Sequence, residues 1–331
     1  MKIATKSGRA ALAALVLLWP QLLMAWSENG HRIVGQIAQD LLTKDPGGAN
    51  AIAGIKDVMG ASYGPNALAN IAPCADFVRH ANEDGSAVPD AGGTINCGGL
   101  TIPVEPESAP WHFVDVPITE SADSVGNFCG AKGCVISAIS NAVSVLQTSA
   151  VQADRQKQLM YLVHFVGDAH QPLHCAYAVL SDGSPDRGGN CEHIRYGGKS
   201  MAFHALWDHR LNAADAPNWQ AEAQRLEGGA SVPTVTNAGA VALQAATESF
   251  QDGHDVMNEF LQLPNAAAQQ CTRTPGQRIP SVVLPDGYEG QYAAKIDERL
   301  QMAGARLAGL LKLAFGGNGQ APRIISRAVA P

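Results

Sequence analysis

Histidine and aspartate recur four residues apart at two places in the chain. The first is the sequence HFVGDAHQPLH, in which His164 and Asp168 lie in an otherwise apolar stretch, and the second is HALWD, with His204 and Asp208. Residues four apart share one face of a helix, and burying a carboxylate there is costly unless it is paired or binds a metal. One such pair is equally consistent with a His–Asp hydrogen bond inside a core. Two pairs with His174 between them favour a metal cluster.

Two further segments contain residue types that bind metals. The sequence PWHFVDVP, predicted as an extended stretch over 110–117, contains His112 and Asp115, and the sequence CADFVR places Arg79 one turn after Asp76. Each has a simpler explanation when taken alone, because His112 could be a core histidine and Asp76 could be a helix N-cap or the salt-bridge partner of Arg79. In a straight strand Asp115 would face away from His112, so a joint role requires a bend.

The elements that position these residues are predicted to be mainly helical. Apolar residues at helical spacing predict helices over 31–43, 135–149, 154–170, 203–213, 238–262 and 290–314. The segments 84–110 and 264–288 are rich in Gly, Pro, Asp and Asn and are predicted to be long loops. Trp111 and Trp207 are predicted to pack in the core. Because no repeat or linker is evident, we expect a single all-α domain over 26–316 and a tail over 317–331.

The composition excludes several classes of protein. The chain has 331 residues, of which 46% are apolar, and it contains no run near the roughly 18 apolar residues of a membrane span. We therefore expect no membrane anchor. A net charge of −7 argues against a basic nucleic-acid-binding surface, but it leaves open a nuclease whose positive charge comes from metal ions.

The first 25 residues resemble an export signal. Lys2, Lys6 and Arg9 precede a short apolar segment, and Leu-Met-Ala ends the region. Cleavage after Ala25 would make Trp26 the N-terminal residue and would place the protein in the periplasm or outside the cell. A short uncleaved anchor is the alternative, although the apolar segment is too short to span a membrane.

Seven cysteines in an exported chain predict disulfides with one thiol left over. The absence of a Cys-x-x-Cys sequence disfavours a thiolate metal site. Spacing favours the pair Cys129 with Cys134 first and Cys175 with Cys191 second, and it leaves open whether Cys74 pairs with Cys97 or with Cys271.

The order of the candidate ligands resembles that of the zinc-dependent type I nucleases, the S1/P1 family of fungi, plants and bacteria. This resemblance implies a mainly helical domain of the architecture that these enzymes share with bacterial zinc phospholipase C. The matching residues are Trp26, His31, Asp76, His112, His164, Asp168, His174, His204 and Asp208.

The resemblance further implies three zinc ions and a role for each matching residue. It places Arg79 toward the substrate phosphate and Asp115 beside the attacking water, although Arg79 could instead form a salt bridge to Asp76 or Asp115. The implied ligands of one zinc are Asp76, His112, His164 and Asp168. Asp168 bridges to a second zinc, which His31 and the α-amine and carbonyl of Trp26 also bind. The implied ligands of the third are His174, His204 and Asp208.

The expected function is that of a monomeric, secreted or periplasmic endonuclease acting on single-stranded DNA and RNA. Its products would carry 5′-phosphates, and it would also act on nucleotides as a 3′-nucleotidase. One alternative is a zinc phospholipase C, whose last ligand motif carries Glu where this chain has Asp208. Another is a non-catalytic extracellular zinc-binding protein. The chain lacks the His-Glu-x-x-His sequence of a zinc peptidase.

Overall fold

The computed structural model describes residues 26–79, 93–209, 218–271 and 280–316. The signal peptide predicted at 1–25 and the tail predicted at 317–331 lie outside the described residues. Within them the chain is mainly helical, and none of these helices combines the length and apolar character needed to cross a membrane. The helices are α1 Glu28–Lys44, α2 Ala49–Met59, α3 Ala67–Ile71, α4 Cys74–Arg79, α5 Val135–Thr148, α6 Gln152–Asp168, α7 Phe203–His209, α8 Trp219–Glu227, α9 Ala238–Leu261 and α10 Tyr288–Phe315.

Helix α6 runs through the middle of the core. Its first two turns are polar, but every residue from Leu159 to Asp168 is buried, because apolar side chains surround the helix on all sides there. Helices α1, α3, α5 and α10 pack against it. A histidine and an aspartate on this helix are therefore held inside the protein, away from bulk water.

Helix α1 packs most extensively against α10, as its apolar stripe predicts. Ile33 and Ile37 are fully buried in this interface. At Gly304 the two backbones approach so closely that a Cβ atom would lie 2.4 Å from Cγ2 of Ile37. At its N-terminus α1 is capped by Ser27, whose hydroxyl accepts a hydrogen bond from the backbone N–H of Gly30.

The described residues form two small sheets, of which the first lies within the segment 84–110 and one strand of the second lies within 264–288, so the expectation of long loops is wrong for these strands. Strands β1 (Thr94–Cys97) and β2 (Leu100–Pro103) form an antiparallel hairpin whose turn, Gly98 and Gly99, has φ values of 58° and 81°. In the second sheet, β3 (His193–Tyr196) pairs antiparallel with β4 (Lys199–Ala202) and parallel with β5 (Val282–Val283). Strands of two to four residues are at or below the shortest length from which a strand can be identified in a sequence.

The sequence predicts an extended stretch over 110–117, and this prediction is wrong for its first residues. Residues Pro106–His112 form a 3₁₀ helix, and the chain becomes extended only at Phe113, where φ is −147° and ψ is 169°. The chain thus changes direction directly after His112. The strand alternation that would turn Asp115 away from His112 therefore does not apply.

Three disulfides join described cysteines: Cys74 to Cys97, Cys129 to Cys134, and Cys191 to Cys271. The pairing of Cys129 with Cys134 is confirmed, and the choice for Cys74 is settled. The predicted pairing of Cys175 with Cys191 is wrong. Cys175 follows a buried 3₁₀ turn and is a fully buried free thiol, whereas the pairing of β3 with β5 brings the region of Cys271 beside Cys191.

Candidate metal centre

Asp168 lies at the centre of a buried group that three segments assemble. One carboxylate oxygen, Oδ1, is 3.3 Å from Nε2 of His31 on α1. The other, Oδ2, is 2.9 Å from Nδ1 of His112 and 3.2 Å from Nε2 of His164. None of these four side chains is exposed to solvent. Because its two oxygens face different histidines, Asp168 has the arrangement of a carboxylate that can bridge two cations.

Helix α4 adds Asp76 to this group, which we call the Asp168 cluster (His31, Asp76, His112, His164 and Asp168). Oδ1 of Asp76 lies 3.7 Å from both Nδ1 of His112 and Nε2 of His164. Arg79, one turn later on α4, forms an ion pair with Asp76 at 3.0 Å. The salt bridge considered from the sequence is therefore present.

A second group, the His174 cluster (His174, His204 and Asp208), lies at the start of α7. Nε2 of His204 is 3.2 Å from Nε2 of His174 and 3.4 Å from Oδ2 of Asp208. The Nδ1 atoms of the two histidines lie 2.8 and 2.7 Å from the carbonyl oxygens of His112 and Gly188, respectively, and so carry the ring protons. Each Nε2 therefore presents a lone pair to the other, an arrangement that a shared cation would stabilise.

The protonation states of this cluster suit metal binding. Burial lowers the pKa of His174 well below its ordinary value and lowers that of His204 to about 4, so both imidazoles are neutral at pH 7. Burial also raises the pKa of Asp208 well above its ordinary value, since few charges nearby compensate for its loss of water. A bound cation would supply that compensation.

The Asp168 cluster has the same electrostatic character. Burial lowers the pKa values of His31 and His112 well below their ordinary range, and nearby cationic groups such as Arg79 lower these pKa values further by a smaller amount. Burial raises the pKa of Asp168 to about 6. Several of its buried atoms also lack a hydrogen-bond partner among the described residues, namely both ring nitrogens of His31, Nε2 of His112 and Oδ1 of Asp168. His164 differs, because although burial acts to lower its pKa, the charges of Asp168 and Asp76 raise that pKa above its ordinary value, and a bound cation would take the place of its proton. Imidazoles and carboxylates are a donor set that zinc binds.

Candidate ligand atoms form three groups within 4.8 Å of one another: His31, Asp76 and His164; His112, His164 and Asp168; and His174, His204 and Asp208. His164 belongs to two of these groups. The described residues thus contain three possible positions for a metal ion, and two of them share a ligand.

Gln171 orients one ligand and was missed from the sequence. Its side-chain amide donates to Oδ1 of Asp208 at 2.7 Å, and its carbonyl oxygen accepts from the backbone N–H of Leu173. A comparable contact orients His164, whose Nδ1–H donates to the carbonyl of Ala72 at 2.7 Å. The sequence signal for Gln171 is weak: it is a polar residue in the mainly apolar segment that also carries His164, Asp168 and His174.

Trp26 lies next to both clusters. Its fully buried indole donates from Nε1 to the carbonyl of Gly167 at 3.0 Å, and the N–H of Ser27 donates to the carbonyl of Asp208 at 3.0 Å. Gly167 itself leaves no room, because a Cβ atom there would lie 2.8 Å from Nδ1 of His31. The backbone at Trp26 is thus held between two segments that carry candidate ligands.

Asp115 lies outside the three groups, in a pocket of about 290 Å³ that Phe113 and Lys132 also line. Surrounding protein atoms desolvate its carboxylate and raise the pKa to about 6, although solvent reaches the residue. Trp207 is fully buried, as predicted. Trp111 is only half-buried, so the expectation that it packs in the core is wrong in part.

We expect removal of bound metal to lower the melting temperature of the protein by about 10 °C. The ligands come from distant segments, and a site filled at about a thousand times its dissociation constant adds about 4 kcal/mol to the stability of the folded state. Calorimetry of the metal-loaded and chelator-treated protein measures the change. An unchanged melting temperature after metal removal, verified by elemental analysis, would contradict a buried cluster.

Comparison with known proteins adds the family context. A family model described as S1/P1 Nuclease matches residues 26–316, a span that contains both clusters. Nuclease S1 of Aspergillus oryzae is 25% identical over 320 residues, which cover 91% of this chain and 96% of the relative. Endonuclease 4 of Arabidopsis thaliana is 24% identical over 326 residues, covering 91% and 94%. Nuclease P1 of Penicillium citrinum is 31% identical over 188 residues, covering 55% and 57%.

Proposed function

The chain belongs to the S1/P1 nuclease family, and we propose that it is an exported, monomeric, zinc-dependent hydrolase that cleaves phosphodiester bonds of single-stranded DNA and RNA. Its products carry 5′-phosphates, and it also removes the phosphate of 3′-nucleotides. The observation that carries this proposal is the position of Asp168, whose two oxygens face His31 on one side and His112 and His164 on the other.

Three zinc ions fit the donor groups. They would bind to buried ring nitrogens and carboxylate oxygens that have no hydrogen-bond partner among the described residues, and to the facing Nε2 atoms of His174 and His204. Zinc in such sites lowers the pKa of water and offsets the negative charge of a phosphate group. The assigned ligands are Asp76, His112, His164 and Asp168 for the first ion, Asp168, His31 and the backbone amine and carbonyl of Trp26 for the second, and His174, His204 and Asp208 for the third.

Arg79 and Asp115 are proposed to act on the substrate. Arg79 is 3.0 Å from Asp76, so its guanidinium places a positive charge beside the cluster, where a phosphate oxygen can accept its N–H groups. Asp115, with a pKa of about 6, is ionised at pH 7 and can accept a hydrogen bond from the attacking water. Carbonyl oxygens of Ala72, His112 and Gly188 hold three of the imidazoles in fixed orientations.

A panel of substrates tests the proposal. The zinc-loaded exported protein should hydrolyse denatured DNA and RNA to 5′-phosphorylated products and release phosphate from a 3′-nucleotide. Chelation should abolish these activities, and added zinc should restore them. Hydrolysis of a lecithin emulsion in place of nucleic acid would indicate a phospholipase C, and zinc binding without hydrolysis would indicate a zinc-binding protein.

A further inference from the structure

A cleft of about 200 Å³ opens between α5 and α6, next to the metal centre; we call it the α5–α6 cleft. It is lined by Trp111, Lys132, Asn141, Gln158, Tyr161 and Phe165. Its volume is below the roughly 300–1,000 Å³ of pockets that enclose drug-sized ligands, so it suits a single ring system. None of these residues is a candidate metal ligand.

The aromatic side chains of the cleft are held in fixed orientations. The rings of Tyr161 and Phe165 are stacked, with centroids 4.9 Å apart and planes 8° from parallel. Trp111 meets Tyr161 edge-on at 5.7 Å, and its Nε1–H donates to the carbonyl of Lys132 at 2.9 Å. Because Trp111 is only half-buried, its indole can contact a ligand without rearrangement.

Two amides in the cleft are available for hydrogen bonding. The side chains of Asn141 on α5 and Gln158 on α6 form no hydrogen bond with any other residue that the structure describes. Gln158 differs in this respect from Gln152 and Gln156, also on α6, whose side-chain amides both donate to the carbonyl of Val58. Each free amide offers two donors and one acceptor, which suits the polar edge of a planar ring.

Lys132 lies between the cleft and the pocket that contains Asp115. It is exposed, and within the described ranges its ammonium group has no ion-pair partner. Lys132 and Gly133 also line the pocket that contains Asp115, so they form the ridge between that pocket and the cleft. In a chain of net charge −7, a positive charge at this ridge is a local feature that suits a phosphate.

We propose that the α5–α6 cleft binds an unpaired nucleobase of a nucleotide neighbouring the one that is cleaved, with Lys132 against the intervening backbone phosphate. This inference rests on the proposed nuclease function. The half-buried indole of Trp111 can stack on any base because every base has a π-face, while the rings of Tyr161 and Phe165, each about 1% exposed, form the floor of the cleft. The amides contact the polar edge of the base. Since a base stacked within a duplex cannot enter the cleft, the subsite favours single-stranded substrates.

The test compares a DNA decanucleotide with a 3′-nucleoside monophosphate, which has no neighbouring nucleotide to place in the cleft. Stacking contacts between a base and an aromatic residue are worth about a tenfold change in affinity or more. We expect Trp111→Ala to lower kcat/KM for the decanucleotide about tenfold relative to that for the monophosphate. Asn141→Ala, which removes a hydrogen bond, should lower the same ratio about fivefold. Ser144→Ala, at an exposed position of α5 outside the cleft, should leave this ratio unchanged.

Ala138→Phe gives a second test that removes no ligand contact, because it fills the cleft from α5. It should lower the same ratio even if Trp111→Ala fails to fold. A ratio that stays constant in both Asn141→Ala and Ala138→Phe, in an enzyme that hydrolyses both substrates, would overturn the subsite. Failure of the unmodified enzyme to hydrolyse either substrate would instead overturn the proposed function.

The role of Lys132 has a separate readout. One lysine–phosphate contact with a single strand contributes about 0.7 to the slope of log affinity against log salt concentration. For the metal-loaded enzyme and a hydrolysis-resistant phosphorothioate decanucleotide, Lys132→Gln should reduce that slope by about 0.7. An unchanged slope would exclude a contact between Lys132 and the backbone phosphate.

Discussion

Asp168→Ala should cost the protein at least two of three zinc ions, whereas His204→Ala should cost mainly one. The carboxylate of Asp168 faces His31 with one oxygen and His112 and His164 with the other, so its removal takes a ligand from two positions. Among the candidate ligands of the described residues, His204 contacts only members of the His174 cluster. Since charge stabilisation by zinc contributes several kcal/mol, we expect Asp168→Ala to lower hydrolysis of RNA about a thousandfold or more.

Elemental analysis of the purified variants measures the zinc content. His254→Ala is the matched control, because this partly exposed histidine belongs to neither cluster and its loss should change neither zinc content nor activity. Circular dichroism establishes that each variant is folded. Loss of one zinc ion in both Asp168→Ala and His204→Ala would show that Asp168 does not bridge.

A protein that retains one extra residue before Trp26 should bind less zinc and should lose most of its activity. A free α-amine has a pKa of about 7.7–8.0 and loses its proton readily to zinc near pH 7, whereas an amide nitrogen is a very poor ligand. Trp26 is also held in place, because it is fully buried and its indole donates to the carbonyl of Gly167, next to Asp168. We expect about one zinc ion fewer and a loss of activity of about a hundredfold or more.

One preparation can serve as its own control. A fusion whose tag is removed by a protease that cuts directly before Trp26 is assayed before and after cleavage, so that the disulfides are the same in both samples. Activity and zinc content should rise together on cleavage. Full zinc content and full activity before cleavage would remove the α-amine of Trp26 from the site.

The sequence was sufficient to locate the helices that carry most of the candidate ligands. His164 and Asp168 are four residues apart within a strongly apolar block, and this spacing places both on one face of a buried helix. The stripe of Ile33 and Ile37 likewise located α1. In these cases the signal is local, because helical periodicity depends only on neighbouring residues.

Features that depend on distant segments could not be predicted in the same way. The disulfide of Cys191 with Cys271 joins distant segments, which also meet where the side-chain carbonyl of Gln269 accepts a hydrogen bond from the backbone N–H of His193. The contact of Gln171 with Asp208 depends on the position of α7 relative to the end of α6. The half-exposed position of Trp111 depends on how the 3₁₀ helix before Phe113 meets the loop at Lys132.

The most direct test of the zinc-nuclease account is a crystal structure of the exported protein with diffraction data collected on both sides of the zinc absorption edge. We predict three anomalous peaks. Two lie on either side of the Asp168 carboxylate, one of them also at the amine of Trp26, and the third lies between His174, His204 and Asp208. An active enzyme with fewer than three zinc peaks, or with its zinc ions away from these residues, would contradict the account.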